Sequence, residues 1–159
     1  MRKAIISIVS LVAAGFMYSC SDSCTENKNA LPLAAYYEAA DSTIQKFTPD
    51  SIEVTGIGRD SVLSPATAIV DELHLPFRID SDTTGYKFVQ KLNGSERSSY
   101  VTFIYSRTPR FVDAECGVSY IFDIRKIECT GNLIDSVTCP TGFIDNTDAE
   151  NLRIYIRPR

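Results

Sequence analysis

The stretch Ala114 to Cys139, AECGVSYIFDIRKIECTGNLIDSVTC, holds three of the chain's five cysteines, its strongest strand signal and a clear turn. Val118, Tyr120, Phe122 and Ile124 fall on one face of an extended chain, and Ser119, Ile121, Asp123 and Arg125 fall on the other, because successive strand side chains take opposite sides. The first face is apolar throughout and the second is mixed, which suits a sheet packed on one side and partly solvated on the other. Beyond Ile127, Thr130-Gly131-Asn132 supplies residues that accept left-handed backbone, and Leu133, Ile134 and Val137 resume a strand. The segment reads as a hairpin, or as two strands joined by a short corner.

The same rhythm extends outward in both directions. Upstream, Val101, Phe103 and Tyr105 share one face of a strand over Ser99 to Ser106, closed by Thr108-Pro109. Asn93-Gly94 is the strongest short hairpin signal in the chain, preceded by a strand carrying Tyr86, Phe88, Val89 and Leu92 and by a turn over Asp80 to Gly85. Leu73, Leu75, Phe77 and Ile79 alternate with polar residues, and Pro76 demotes that strand to an edge or a bulge. Ala66 to Leu73 reads as a helical turn after Ser64-Pro65, Asp60 to Leu63 is short, and Ser51 to Ile57 is a strand rich in β-formers. Ala30 to Phe47 mixes helix formers with alternation at Leu33, Ala35 and Tyr37, and is read as an early strand with a polar excursion. Downstream, Thr138 to Gly142 turns, Phe143-Ile144 is a short strand, Asp145 to Asn151 is a polar loop, and Leu152, Ile154 and Ile156 form a last strand. About seven to nine strands spaced by about 10 to 15 residues, with no convincing long helix, point to a single antiparallel β-sandwich.

The N-terminus is not expected to join that fold. Arg2 and Lys3 precede an apolar run, Ala4 to Phe16, that falls short of the about 20 residues a membrane-spanning helix needs. Met17-Tyr18-Ser19-Cys20 resembles the lipobox of bacterial lipoproteins, with Cys20 acylated as the first mature residue. The expected division is a signal peptide over 1–19, a lipidated tether over 20–30 whose polar composition marks a linker, and the sandwich over 31–159. With two or three acyl chains on Cys20 the anchor is effectively permanent, each buried methylene contributing about 0.8 kcal/mol. The location implied is the cell envelope, lipid-anchored to the outer membrane on its periplasmic or surface side.

Charge and cysteines narrow the function classes. The chain has 16 basic and 20 acidic side chains, and loss of Arg2 and Lys3 with the signal widens the excess, so a nucleic-acid backbone is repelled on average. With Cys20 lipidated, Cys24, Cys116, Cys129 and Cys139 allow three pairings in an oxidising compartment. The expected set is Cys24 with Cys116, contributing roughly 4 to 5 kcal/mol at most by loop closure, and Cys129 with Cys139, contributing roughly 2 to 3 kcal/mol. No pair has the close spacing of a zinc site, and no metal is expected.

The lipobox cysteine, Cys24 four residues on, Leu75-Pro76-Phe77, the Cys116-Gly117 strand start and Thr130-Gly131-Asn132-Leu133-Ile134-Asp135-Ser136-Val137 together resemble a group of short, uncharacterised lipoproteins of Bacteroidota-type bacteria. The likeness spans nearly the whole mature chain. It implies an envelope lipoprotein with an immunoglobulin-like or transthyretin-like sandwich and carries over no catalytic residue. Cys129 and Cys139 are additional to that pattern.

Chemistry finds little purchase. Asp80-Ser81-Asp82-Thr83-Thr84-Gly85 begins like a calcium loop, but Lys91 stands where the bidentate Glu belongs, so a solvated turn is expected. His74 is the only histidine and no Gly-x-Ser-x-Gly elbow accompanies it. The expectation is a non-enzyme without cofactor: a structural or protein-partner-binding envelope module, or alternatively a surface module capturing glycan or peptide. For the latter, Tyr36, Tyr37, Tyr86, Tyr100, Tyr105, Tyr120 and Tyr155 are candidate contact residues.

Overall fold

Asn93 and Gly94 take positive φ angles of 51° and 78°, the two left-handed residues that a tight hairpin demands. They close the hairpin at the centre of the larger of two sheets. The structure is a computed structural model that describes residues 31–39, 45–59, 62–113, 117–145, 147 and 149–158. Ten strands follow in chain order: β1 (Leu33–Glu38), β2 (Ile52–Gly56), β3 (Val62–Ser64), β4 (Glu72–His74), β5 (Thr83–Leu92), β6 (Ser95–Asp113), β7 (Gly117–Gly131), β8 (Ile134–Thr138), β9 (Phe143–Ile144) and β10 (Glu150–Ile156). No helix occurs among the described residues, and the helical turn expected over Ala66 to Leu73 is a single β-turn, closed by the Ala68 N–H on the Pro65 carbonyl at 2.9 Å, that runs on into β4.

The strands form a four-stranded sheet of order β4-β1-β10-β8 and a six-stranded sheet of order β3-β2-β5-β6-β7-β9. One pairing departs from the antiparallel expectation: β1 and β10 run parallel, Ala34 opposite Leu152 through Glu38 opposite Ile156. β10 inserts between β1 and β8, and its antiparallel ladder with β8 leaves it running the same way as β1. Both sheets feed one core. Tyr36, Leu152 and Ile154 from the smaller sheet meet Phe88, Phe103 and Phe122 from the larger, all fully buried. Phe77 sits among the aromatic rings, 4.8 Å from Tyr105, 4.9 Å from Phe103 and 5.5 Å from Phe122 between centroids. Such offset and edge contacts add roughly 0.5 to 1.5 kcal/mol each beyond area burial.

The central stretch crosses between the sheets rather than folding back as a hairpin. β7 ends at Gly131 and β8 joins the other sheet, so Asn132-Leu133 is the corner. The alternation along β7 holds from Tyr120 to Ile124 and then changes phase. A bulge lies where Tyr105 faces Ile124 and Ile104 faces Lys126, and beyond it Ile127 and Cys129 turn inward.

Two strands run past their expected ends. β5 starts at Thr83, inside the expected turn. β6 continues through Pro109 to Asp113, because beyond the Thr83–Ile104 pair no strand lies on its outer side and a missing N–H there costs no ladder bond. Conversely, the strand expected through Ile79 stops at His74. Leu75 and Phe77 keep the inward alternation, but only the Leu75 N–H finds a backbone partner, the Pro32 carbonyl at 2.9 Å.

Candidate functional site

The most developed concavity among the described residues is a cleft of about 560 Å³ where β2 ends and β3 begins beside the start of β5. Ile57, Leu63, Phe77, Ile79 and Tyr86 give it apolar walls, and Arg59 stands at its edge. Gly85 makes the floor possible. A Cβ there would stand 2.8 Å from the Ile57 Cδ1, so the absence of a side chain lets Ile57 lie down on β5.

The wall carrying Phe77 to Asp80 is irregular backbone held by a closed ring of hydrogen bonds. The Arg78 N–H donates to Thr84 Oγ1 at 2.9 Å, Thr84 and the Tyr105 hydroxyl meet at 2.6 Å, and Tyr105 donates to the Arg78 carbonyl at 2.8 Å. The Tyr86 hydroxyl donates to the Pro76 carbonyl, fixing the same wall one turn earlier. Burial pushes the Tyr86 and Tyr105 phenols above their ordinary pKa, further disfavouring the ionised form.

Electrostatically the cleft edge is mixed. Arg78 pairs with Asp80 at 3.0 Å, and that hydrogen bond holds the Asp80 carboxyl below the usual carboxylate range. Arg107 pairs with Asp82 at 2.9 Å and also donates to the Ile79 carbonyl. Arg59 makes no ion pair among the described residues, although its charge reaches Asp80 and Tyr86. An apolar pocket with one uncommitted guanidinium at its edge suits an apolar group with an anionic neighbour.

The residues singled out from sequence are scattered. The acids of the calcium-like stretch, Asp80 and Asp82, are held by Arg78 and Arg107, and Thr83 to Gly85 lie in β5. No group of three or more metal-ligating side chains gathers among the described residues. His74 is exposed, with Nδ1 3.3 Å from the Leu31 carbonyl. Cys20, Cys24 and Cys116 lie outside the described residues. The bridge expected between Cys129 and Cys139 is not formed; both are free, half-buried thiols packed against the core. Cys139 Sγ faces Thr141 Oγ1 and the Phe143 carbonyl, both at 3.8 Å. Burial raises the Cys129 thiol pKa, against a hydrogen bond with the Val137 backbone.

The tyrosines offer less surface than their number suggests. Tyr36, Tyr37, Tyr86 and Tyr105 are buried, Tyr120 and Tyr155 are half-buried, and Tyr100 alone is exposed, at 45%. The cleft was not legible as a site, since Ile57, Leu63 and Ile79 read as strand ends. The one signal that could have located it was Pro76, which breaks the ladder while Leu75 and Phe77 stay buried.

No curated protein and no solved structure matches the chain. A family of unknown function, DUF6452, matches residues 51–156, from the start of β2 to the end of β10. With most of the chain covered, including the cleft and the corner between the sheets, the protein belongs to the DUF6452 family.

Proposed function

We propose that the chain is a cell-envelope lipoprotein, anchored to the outer membrane through acylated Cys20, whose immunoglobulin-like or transthyretin-like domain is a structural or partner-binding module. The partner is an envelope protein that places an apolar side chain, with an acidic neighbour, in the cleft. The observation that carries this reading is the cleft itself: apolar walls from Ile57, Leu63 and Phe77 beside the uncommitted Arg59. Its volume of about 560 Å³ is within the range of small ligand pockets and accommodates a short peptide segment. The domain acts as a binder and not as an enzyme, with no cofactor. A disulfide between Cys24 and Cys116 adds to its stability.

The alternative, capture of glycan or free peptide at the cell surface, is favoured by a cleft open to small ligands but not by the aromatic inventory. The chain has no Trp, and of the seven candidate tyrosines only Tyr100 is exposed.

The test is a photo-crosslinking residue placed at Leu63 in cells making the full chain. A discrete protein adduct that disappears when Ile57→Arg fills the cleft supports the partner reading. An adduct formed equally from a probe at Tyr100, or none at either position, contradicts it; saturable glycan binding by the purified chain would favour the alternative.

A further inference from the structure

β6 loses its outer neighbour beyond the Thr83–Ile104 pair and β7 loses β9 beyond the Phe122–Ile144 pair, so from Thr108 and Ile121 outward β6 and β7 continue as a two-stranded ribbon. Its outer part, from Thr108 to Asp113, spans about 20 Å at the usual strand rise. Phe111 and Val118 are direct cross-strand partners on this arm and are 69% and 46% exposed. They continue the face that buries Phe122 nearer the sandwich, so the arm carries a core-type face out into solvent. Arg110 precedes Phe111 and pairs with Ser119 on the opposite face of the ribbon; it is exposed and makes no ion pair among the described residues. Of the nine exposed large apolar side chains among the described residues, Phe111 and Val118 lie on the arm and Ile57, Leu63 and Ile79 on the cleft.

The first described residues also lie at this end. Leu31 and Pro32 sit against His74 and Leu75, and Leu75 leads directly to Phe77 and Arg78, which contact Tyr105 at the root of the arm. The ten residues from Ser21 to Ala30 reach at most about 36 Å when fully extended. A bilayer holding Cys20 therefore lies within that distance of the end on which the arm stands. The proximity gives the bilayer a high effective concentration for any apolar surface facing it. Paired large apolar side chains on one face of a ribbon, with an exposed long arginine projecting from the other, match the composition of segments that rest in the headgroup region.

We infer that the β6–β7 arm is a membrane-contacting strut. Phe111 and Val118 seat at the headgroup–acyl boundary of the leaflet that holds Cys20, Arg110 meets lipid phosphate, and the arm's length keeps the cleft off the bilayer and open to a partner. This inference rests on the lipid-anchor reading above.

The chain contains no Trp, so a single introduced indole reports its own position. Full-length acylated protein is mixed with vesicles of phosphatidylethanolamine and phosphatidylglycerol carrying brominated acyl chains. Phe111→Trp is expected to be quenched roughly twofold, as for a side chain 5 to 10 Å into the interface, while Tyr100→Trp, on the outer face of the large sheet, keeps its emission. A chain that floats with the vesicles while Phe111→Trp stays unquenched overturns the strut and leaves the anchor standing. Equal quenching at both positions lays the sheet face on the bilayer and also overturns the strut. A chain that does not float overturns the anchor and the strut together.

Discussion

The fully buried hydroxyl of Ser99 accepts the backbone N–H of Ile134 at 2.9 Å, and also that of Leu133 at 3.0 Å. One side chain in β6 thus satisfies two backbone donors at the corner where the chain passes from the large sheet to the small one. Next to it the Asn132 side chain accepts the Ser98 N–H at 3.0 Å, and the Asn132 N–H returns a bond to the Ser98 carbonyl at 2.9 Å. The run from Thr130 to Val137 is therefore the joint of the sandwich. Ser99→Ala leaves two buried N–H groups without an acceptor, each costing about 1 to 3 kcal/mol, so a total loss of about 3 kcal/mol is expected. Urea unfolding with an unchanged slope and a lowered midpoint is the readout; a change within about 0.5 kcal/mol would mean that water replaces the hydroxyl.

Gly131 faces Ser99 across β6 and β7 at a φ of 109°. A Cβ on it would stand 2.7 Å from the Ser99 Cα and 2.8 Å from its Oγ, besides striking the Ser98 carbonyl. Gly131→Ala combines backbone strain with a clash against main chain and is expected to cost about 3 kcal/mol or more. Gly142 is the control, with a φ of 75° but open space around the missing Cβ. Gly142→Ala should cost only about 1 kcal/mol. Equal losses from the two variants would show that the crowding at Ser98 and Ser99 is not what Gly131 avoids.

These two sites show what the sequence could and could not convey. Asn93-Gly94 announces its hairpin because left-handed backbone is a local requirement met by local residue types, and the Thr130 to Asn132 turn is legible for the same reason. Pro109 misleads because its effect depends on whether a neighbouring strand wants its N–H, which is a fact of topology. The bulge near Arg125 is likewise silent, since Ile121, Ile124 and Ile127 fit either phase of the alternation. The cleft depends on Ile57 resting on Gly85 across two strands, and no spacing along the chain encodes that contact. The arm needed only the knowledge that β5 starts at Thr83 while β6 continues to Asp113.

Glu150 carries the clearest acid dependence. Its carboxylate receives the Arg153 Nε–H at 2.8 Å and lies 2.8 and 2.7 Å from the Tyr37 hydroxyl. Burial works to raise its pKa, but the hydrogen bonds from Arg153 and Tyr37 and the charges of Arg153 and Lys46 outweigh burial and hold it below the ordinary value. A folded pKa below the unfolded one stabilises fully above the ordinary carboxylate pKa, and that contribution is lost as pH falls through the depressed value. The urea midpoint of the natural chain should therefore drop more between about pH 7 and about pH 3 than that of Glu150→Gln. Parallel drops would assign the acid sensitivity elsewhere.

The proposed Cys24–Cys116 bridge and the free Cys129 and Cys139 predict different behaviour. A digest made without reduction should link Cys24 to Cys116 and yield Cys129 and Cys139 as separately alkylated peptides. Because burial lifts the Cys129 thiol above its ordinary pKa, its alkylation near neutral pH should be slower than that of an exposed thiol peptide. A Cys129–Cys139 linkage in the map, or alkylation of Cys129 at the rate of the free peptide, would contradict the packing seen around them.

The cleft makes its own prediction through Gly85. Gly85→Val pushes the Ile57 side chain off β5 and into the pocket, since even a Cβ would stand 2.8 Å from Ile57 Cδ1. The expected result is loss of the Leu63 crosslink at a stability cost of about 1 to 3 kcal/mol, as for overpacking. A crosslink that persists in the folded variant would place the partner outside the cleft.

Partner access, the role of the arm and the location all depend on the proposed anchor. The most direct measurement is the mass of the N-terminal peptide of the protein isolated from its own cells. A mature chain beginning at Cys20 and carrying a diacylglyceryl group is the predicted result. A chain beginning at Met1, or cut elsewhere with Cys20 unmodified, would contradict it.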